Sequence, residues 1–234
     1  IILSIHPQES TRKNKDGSHL AETANPMSAT DEEMDDQIKS ATADDMEDLI
    51  ESAEEASDKK KLLDIISTCS HHRHQESPED WDVPSEASLD SFYRVIKGSR
   101  SDGGDSILEL PMNTRSKLMH SLQAWREEEA IVEVALGCIA AVGSQAEENF
   151  DETVDGIDVE LIVNIMQTYE DESAIQEQAC LAIKGLAEAS EGLKARLLEV
   201  EGMGEELKAA KDRITNERNK KYVGQAAAAL GLEL

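Results

Sequence analysis

Aromatic residues, cations and long apolar runs are all scarce in this chain of 234 residues. Phe, Trp and Tyr make up only 3% of the sequence, so the core must be aliphatic and rich in alanine, which suits close helix packing and disfavours a β-sandwich. No run approaches the roughly 18 apolar residues that a membrane helix needs. The apolar start, Ile1–Ile5, is too short for a complete signal peptide. Because the chain begins with Ile1 rather than Met, we expect it to be a fragment of a longer product.

The shortage of cations narrows the classes of partner. The chain has 23 Lys and Arg against 50 Asp and Glu, which gives a formal net charge of -27. Nucleic acid binding depends on Lys and Arg contacts to phosphates, so this charge argues strongly against it. The same charge disfavours an anionic membrane surface. The expected partner is another protein or a peptide, and a basic surface would complement the charge.

Catalytic signatures are missing as well. The sequence contains no G-x-S-x-G elbow, no glycine-rich phosphate loop, no Cys-x-x-Cys pair and no H-E-x-x-H helix. His6, His19 and His120 are isolated in the sequence. We therefore expect a protein without enzyme activity and without a cofactor.

Cysteines are few, and their number is odd. The three are Cys69, Cys138 and Cys180. Cys138 and Cys180 fall on apolar helix faces, where a reduced thiol behaves as a small apolar side chain. This usage is typical of a reducing compartment, so the cytoplasm or the nucleus is expected.

One short cluster has residue types that bind metals. It consists of Cys69, His71, His72 and His74. Sulfur and imidazole ligands suit zinc or copper, but structural zinc is usually held by two separated pairs of ligands, and no second pair follows nearby. A loop that happens to contain histidines is the favoured interpretation, and no metal site is predicted.

Two stretches predict flexible or extended chain. Residues 1–41 are polar and predict disorder. Residues 69–89 contain Pro78 and Pro84 among acidic residues, and each proline pushes the residue before it toward extended backbone. We predict a linker there, followed by a helical domain over 90–234.

An acidic tract lies between these stretches and overlaps the first. Over 31–55 only Lys39 opposes the carboxylates. Apolar residues at helical spacing predict an amphipathic helix over 42–68, capped by Thr42 and bent near Ser57. One interpretation is that this helix docks on a basic partner or on the rest of the chain. The other is a solvated helix that only precedes the domain.

The helical pattern is strongest over 155–189. Apolar residues there recur at helical spacing in two segments joined by a short polar turn, which predicts two antiparallel helices. Ser173 and Gln176 have the spacing of a capping box, so the second helix should begin at Ser173. An aspartate at Leu181 or Ile183 should collapse the domain, because its charge would enter an apolar interface.

The same unit recurs along the chain. Residues 200–234 match 154–189 at an offset of about 46 residues, and Ala135–Val142 aligns with Ala179–Leu186 at about 44. Periods of this size are typical of stacked helical repeats, and about three repeats are needed for a stable stack. The sequence therefore predicts an all-α fold.

These residues resemble a known family. The segment Gln176–Ala187, QEQACLAIKGLA, after an acidic turn and an apolar helix, is similar to the armadillo repeat. The resemblance covers roughly 108–234. It implies a right-handed α-solenoid of about three armadillo-like repeats, in which a repeat has a short first helix and two longer ones. In the last repeat the helices would be 191–200, 203–214 and 219–232.

One departure from that family concerns the third helices. Armadillo proteins that hold extended peptides resemble each other in a Trp and an Asn there. The matching positions here are Gly137 and Ala141, Leu181 and Gly185, and Ala227 and Gly231. None of them is Trp or Asn, so the Asn ladder that fixes a peptide backbone is missing, which disfavours cargo binding of the nuclear-import type.

The function predicted is a protein–protein interaction scaffold that binds a peptide or a partner helix on a concave face. The candidate lining residues are Gly137, Ala141, Leu181, Lys184, Gly185, Ala227 and Gly231. Their mostly small side chains would let a partner approach closely, or they would serve tight packing inside the stack. In the alternative function, the acidic N-terminal segment docks on a basic partner and the repeats are a passive or regulatory support.

Overall fold

The computed structural model describes residues 31–73, 78–101, 110–111, 113–143 and 158–234. Within these ranges the protein has α-helices, one 3-10 helix at Pro78–Trp81 and no strand. The α-helices are α1 Asp31–Ser40, α2 Ala43–Glu55, α3 Lys59–His72, α4 Asp82–Ser101, α5 Thr114–Ala124, α6 Glu129–Gly143, α7 Glu160–Thr168, α8 Ser173–Ala189, α9 Glu191–Glu199, α10 Met203–Arg213 and α11 Lys221–Leu230. The all-α prediction is confirmed for this part of the chain.

The helices are arranged in two rows. In the first row α4, α6, α8 and α11 each pack against the next. In the second row α3 packs against α5, and α7 packs against α10. Each member of the second row also packs against the first-row helix that follows it in sequence. The two similar C-terminal segments therefore lie face to face, as the repeat pattern predicts.

A single hydrophobic cluster runs through both rows. It extends from Ile38 in α1 to Leu230 in α11, and aliphatic residues and alanine dominate it. Leu62 of α3 is 0% exposed inside this cluster. The N-terminal helices are thus packed on the rest of the molecule and do not form a free acidic arm.

The helix predicted over 42–68 is two helices, which corrects that prediction. The chain turns at Ser57, whose φ is 54°, and Asp58 then begins α3 by accepting a hydrogen bond from the backbone N–H of Lys61 at 3.0 Å. The predicted cap at Thr42 is confirmed, since Thr42 and Asp45 form a reciprocal capping box. The left-handed Ser57 thus reverses the chain between the two helices, although the apolar pattern of the sequence continues across it.

Residues 69–89 are largely helical, which corrects the predicted linker. The end of α3, the 3-10 helix and the start of α4 occupy most of this range, and 74–77 lie outside the described residues. Pro84 falls in the first turn of α4, where its missing N–H has no intrahelical partner to lose. The predicted disorder over 1–41 is contradicted for its last part by α1, and 1–30 lie outside the described residues.

In the repeat region the predicted boundaries agree closely with α7 to α11. Upstream of this region, α5 begins at Thr114. Gln176 does not complete a capping box. Its Nε2 donates to the carbonyl oxygens of Met166 at 2.8 Å and Tyr169 at 2.9 Å. The amide thus satisfies free carbonyls at the end of α7 and fixes α7 against α8.

No helix in the described ranges is both long enough and apolar enough to cross a membrane.

Candidate partner-binding groove

A shallow cavity of about 280 Å³ opens on the first row, over α4, α6 and α8. We refer to it as the α4–α6–α8 groove. Its lining residues are Tyr93, Lys97, Gly137, Ala140, Ala141, Gln178, Leu181, Lys184 and Gly185. Its polar side chains are supplied by α4 and α8, whereas α6 contributes glycine and alanine only.

The wall on α4 is an aromatic ring with a cation above it. Tyr93 is half-buried, and Lys97 is exposed one turn further along the helix. The Nζ of Lys97 lies 4.4 Å from the centroid of the Tyr93 ring, within the range of a cation–π contact. This contact holds the ammonium at the groove edge, where a peptide carboxylate or carbonyl could accept from it.

The surface of α6 forms the bottom of the groove, and it is recessed because Gly137 has no side chain. A Cβ built there would lie 3.5 Å from Oε1 of Gln178 and 3.7 Å from Cε2 of Tyr93, which are ordinary van der Waals distances. The absence of a side chain at Gly137 is therefore not forced by packing. It leaves room for a methyl-sized group between Tyr93 and Gln178.

Close packing does force the glycine at Gly143. A Cβ there would lie 3.0 Å from the carbonyl carbon of Gly185 and 3.0 Å from the backbone nitrogen of Leu186. Gly137 meets Gln178 and Gly143 meets Gly185, so the two contacts occur in the same order along both helices and α6 runs parallel to α8. Of the two interpretations that the sequence left open for small residues, tight packing therefore applies to Gly143, whereas Gly137 lets a partner approach closely.

The wall on α8 combines an apolar side chain with a second cation. Leu181 is half-buried, so an aspartate there would not enter the apolar interface, which corrects that prediction. Ile183 is 0% exposed and does lie in the interface. Lys184 donates to Oε2 of Glu188 at 2.8 Å and keeps 29% of its side chain exposed. The two lysines of the groove therefore lie on its two outer helices.

The next turn toward the helix N-termini carries carboxylates. Glu133 lies one turn before Gly137 on α6, and burial raises its pKa, with smaller contributions from the charges of Glu129 and Glu177. Glu133 is therefore a carboxylate on α6, one turn from the glycine at the centre of the groove.

The structure brings five of the seven candidate site residues into this groove. They are Gly137, Ala141, Leu181, Lys184 and Gly185. The other two lie elsewhere on α11. Ala227 is 3% exposed in the hydrophobic cluster, and Gly231 ends α11 in the left-handed conformation with φ 78°. These two positions have structural roles.

Sequence reasoning missed Tyr93, Lys97, Ala140 and Gln178. A signal for the first two existed, because Tyr93 and Lys97 precede Gly137 and Ala141 by the same offset of about 44 residues that separates those from Leu181 and Gly185. The repeat alignment made from the sequence began at Ala135, so it did not include α4.

The cysteine and histidine cluster does not come together as a metal site in the described part of the chain. His72 stacks on Trp81 with ring centroids 4.1 Å apart, and His74 lies outside the described residues. Burial raises the pKa of Cys69 to about 12, so its thiol stays protonated at neutral pH. Among the residues described, no group of three or more His, Cys, Asp or Glu side chains is placed to hold a metal ion.

The other two cysteines are equally unreactive. Burial raises the pKa of Cys180 to about 12 and also raises the pKa of Cys138. The Cys138 thiol donates to the carbonyl oxygen of Leu89 at 3.3 Å. All three thiols are free and buried, which suits packing and disfavours nucleophilic chemistry.

Comparison with known proteins gives little beyond this. No protein-family model and no curated protein matches the chain. Among solved structures, a designed armadillo repeat protein in complex with the peptide (KR)4 is similar, with 15% sequence identity and a TM-score of 0.43 over 84% of this chain and 98% of that chain.

Proposed function

We propose that the protein is a right-handed, armadillo-like stack of helical repeats that acts as a scaffold, and that its α4–α6–α8 groove binds an extended peptide segment of a partner protein. The observation that carries the proposal is the groove itself. Positions one repeat apart on three neighbouring helices of the first row line one cavity, and Gly137 at its centre has no packing reason to lack a side chain.

The size of the groove favours an extended peptide over a helix. A helix is about 10 Å across with its side chains. A cavity of about 280 Å³ is too small to hold a segment of that width. A chain that crosses α4, α6 and α8 in turn would insert single side chains between Tyr93 and Leu181. Polar groups of its backbone would reach Lys97, Gln178 and Lys184. These contacts take the place of the missing Asn ladder.

The test uses peptides selected by display against the whole chain and then measured on two variants. In Gly137→Leu the new side chain projects into the groove without a backbone clash, because a Cβ there has only ordinary contacts. Gly204→Leu is the matched control. It also lies in a helix, but in the second row, where the nearest heavy atom to a Cβ is Cδ1 of Leu232 at 4.0 Å.

Selected peptides should lose affinity for Gly137→Leu by at least roughly tenfold, because the filled site is central to the interface. They should bind Gly204→Leu as they bind the unmodified chain. Equal binding to all three proteins, or failure to enrich any peptide, would show that the groove is not the binding site. Circular dichroism of both variants checks that the helices remain folded.

A further inference from the structure

A second and larger groove lies on the N-terminal side of the molecule, between α2 and α4. Its volume is about 620 Å³. We refer to it as the α2–α4 groove. Its lining residues are Ala43, Asp44, Glu47, Ile50, Glu51, Glu54, Asp80, Val83, Pro84, Ala87, Ser91 and Arg94. The Tyr93 and Lys97 side chains of α4 line the first groove and do not line this one.

The floor of the α2–α4 groove is apolar, and the most exposed large hydrophobic side chain of the described chain lies at its mouth. Val83 is 75% exposed on the first turn of α4. Pro84 and Ala87 continue the apolar surface on α4, and Ile50 does so on α2. A valine exposed to this degree at the mouth of a groove favours a partner that covers it with apolar surface.

The wall on α2 is a row of carboxylates at one-turn spacing. Asp44, Glu47, Glu51 and Glu54 all face the groove, and the spacing of three, four and three residues places them along about 15 Å of helix. On a partner helix, Lys or Arg residues three or four positions apart have the same spacing. The wall therefore matches a helix whose cations lie on one side and whose apolar residues face Val83.

The structure already contains one example of this pairing. The guanidinium of Arg94 on α4 lies 3.0 Å from Oε1 of Glu54, and Ser91 donates to the other carboxylate oxygen at 2.6 Å. At this end of the groove a cation from α4 neutralises the row. In the described part of the chain, Asp44, Glu47 and Glu51 form no ion pair, so the remaining three positions of the row still carry uncompensated charge.

We propose that the α2–α4 groove is a docking site for a basic amphipathic helix of a partner protein. The helix lays an apolar side chain over Val83 and pairs its Lys or Arg side chains with Asp44, Glu47 and Glu51. This is a helix-in-groove mode of recognition, with the apolar contact giving affinity and the charges giving orientation. The site is separate from the α4–α6–α8 groove, so either can fail without the other.

The test measures fluorescence anisotropy of labelled synthetic peptides on the whole chain. The probe is a peptide of roughly 15 residues, about four helical turns, with leucines on one face and lysines on the flanking faces. A scrambled peptide of identical composition separates helical pattern from bulk charge. Affinity for the patterned peptide should exceed that for the scrambled one by roughly tenfold and should fall with added salt.

Two pairs of variants locate the site on the protein. Glu47→Gln with Glu51→Gln removes two carboxylates of the row and should weaken binding roughly two- to thirtyfold, the range for two exposed ion pairs. Asp48→Asn with Glu55→Gln is the matched control. It removes the same charge from exposed positions of α2 that do not line the groove, and should change affinity less than about twofold.

The second pair tests the apolar contact. Val83→Ser should weaken binding roughly tenfold, whereas Leu198→Ser changes a 44% exposed side chain on α9 and should leave binding unchanged. The proposal would be overturned if the groove and control variants lost affinity equally, or if the patterned and scrambled peptides bound equally well. Either result would mean that binding depends only on general charge attraction. Absence of binding by the unmodified chain would overturn it as well.

Discussion

Replacing Gly143 with alanine should destabilise the fold, whereas the same replacement at Gly137 on the same helix should stabilise it. Both residues lie in α6, and both substitutions add one methyl group. The difference comes from what the methyl meets. At Gly143 it lies 3.0 Å from backbone atoms of Gly185 and Leu186, while at Gly137 its nearest neighbour is the flexible end of Gln178 at 3.5 Å.

The magnitudes follow from two opposing terms. Alanine is favoured over glycine inside a helix by about 1 kcal/mol, and at Gly137 this gain should appear almost in full. Forcing a methylene-sized group into a packed interface costs about 1–3 kcal/mol. At Gly143 the neighbouring backbone of α8 cannot rotate away, and the helix gain is reduced at the last residue of α6. We therefore expect Gly143→Ala to lose about 1–2 kcal/mol.

Urea unfolding followed by far-ultraviolet circular dichroism measures both free energies of unfolding. The two variants should differ from each other by about 2–3 kcal/mol, with opposite signs relative to the unmodified chain. If Gly143→Ala is as stable as Gly137→Ala, then α6 and α8 do not approach as closely as the structure places them. The parallel register of the first row would then be wrong.

The remaining predictions concern α8 and the carboxylates near the groove. Ile183→Asp should unfold the protein or destabilise it by more than about 3 kcal/mol, because the charge would be buried, whereas the half-buried Leu181→Asp should stay folded in the same unfolding assay. The pKa of Glu133 is raised in the folded state. The stability that its protonated carboxyl contributes is therefore present below the ordinary pKa of 4.5 and is lost as the pH rises through the pKa of the folded state. Glu133→Gln should therefore be more stable than the unmodified chain at neutral pH, and a difference that persists at acid pH would contradict this sign.

Apolar periodicity predicted the C-terminal helices well, for a physical reason. Helices α7 to α11 each bury one face against a neighbour, and such a face leaves a regular pattern in the sequence. Gly137 and Leu181 were candidate lining residues because of the resemblance to a known family of helical repeats, which matched them one repeat apart. Local pattern and tertiary packing agree in this part of the chain.

The misses have local causes that a pattern does not record. Ser57 adopts a left-handed conformation without being glycine, so the sequence indicated only a bend where the chain turns between α2 and α3. Pro84 was interpreted as linker, although the first turn of a helix accepts proline. Gln176 bonds to the preceding helix and not to its own N-terminus, which only the antiparallel packing of α7 on α8 could reveal.

The division of small residues between groove and interface was also beyond the sequence. Gly137 and Gly143 look equivalent in α6, but only Gly143 lies against the backbone of α8. Which of them is forced by packing depends on the distance between two helix axes, and that distance is set by the whole row. The sequence names Gly137 as a candidate lining residue, but it does not give that distance and so cannot show which glycine packing requires.

Photocrosslinking of a display-selected peptide to the whole chain tests the central claim most directly. A benzophenone at the middle of the peptide is activated, and the linked residues are identified by mass spectrometry. If the first row presents a shared peptide surface, crosslinks should fall on α4, α6 and α8, close to Tyr93, Gly137 and Leu181. Crosslinks confined to the second row, or to a single helix, would contradict it.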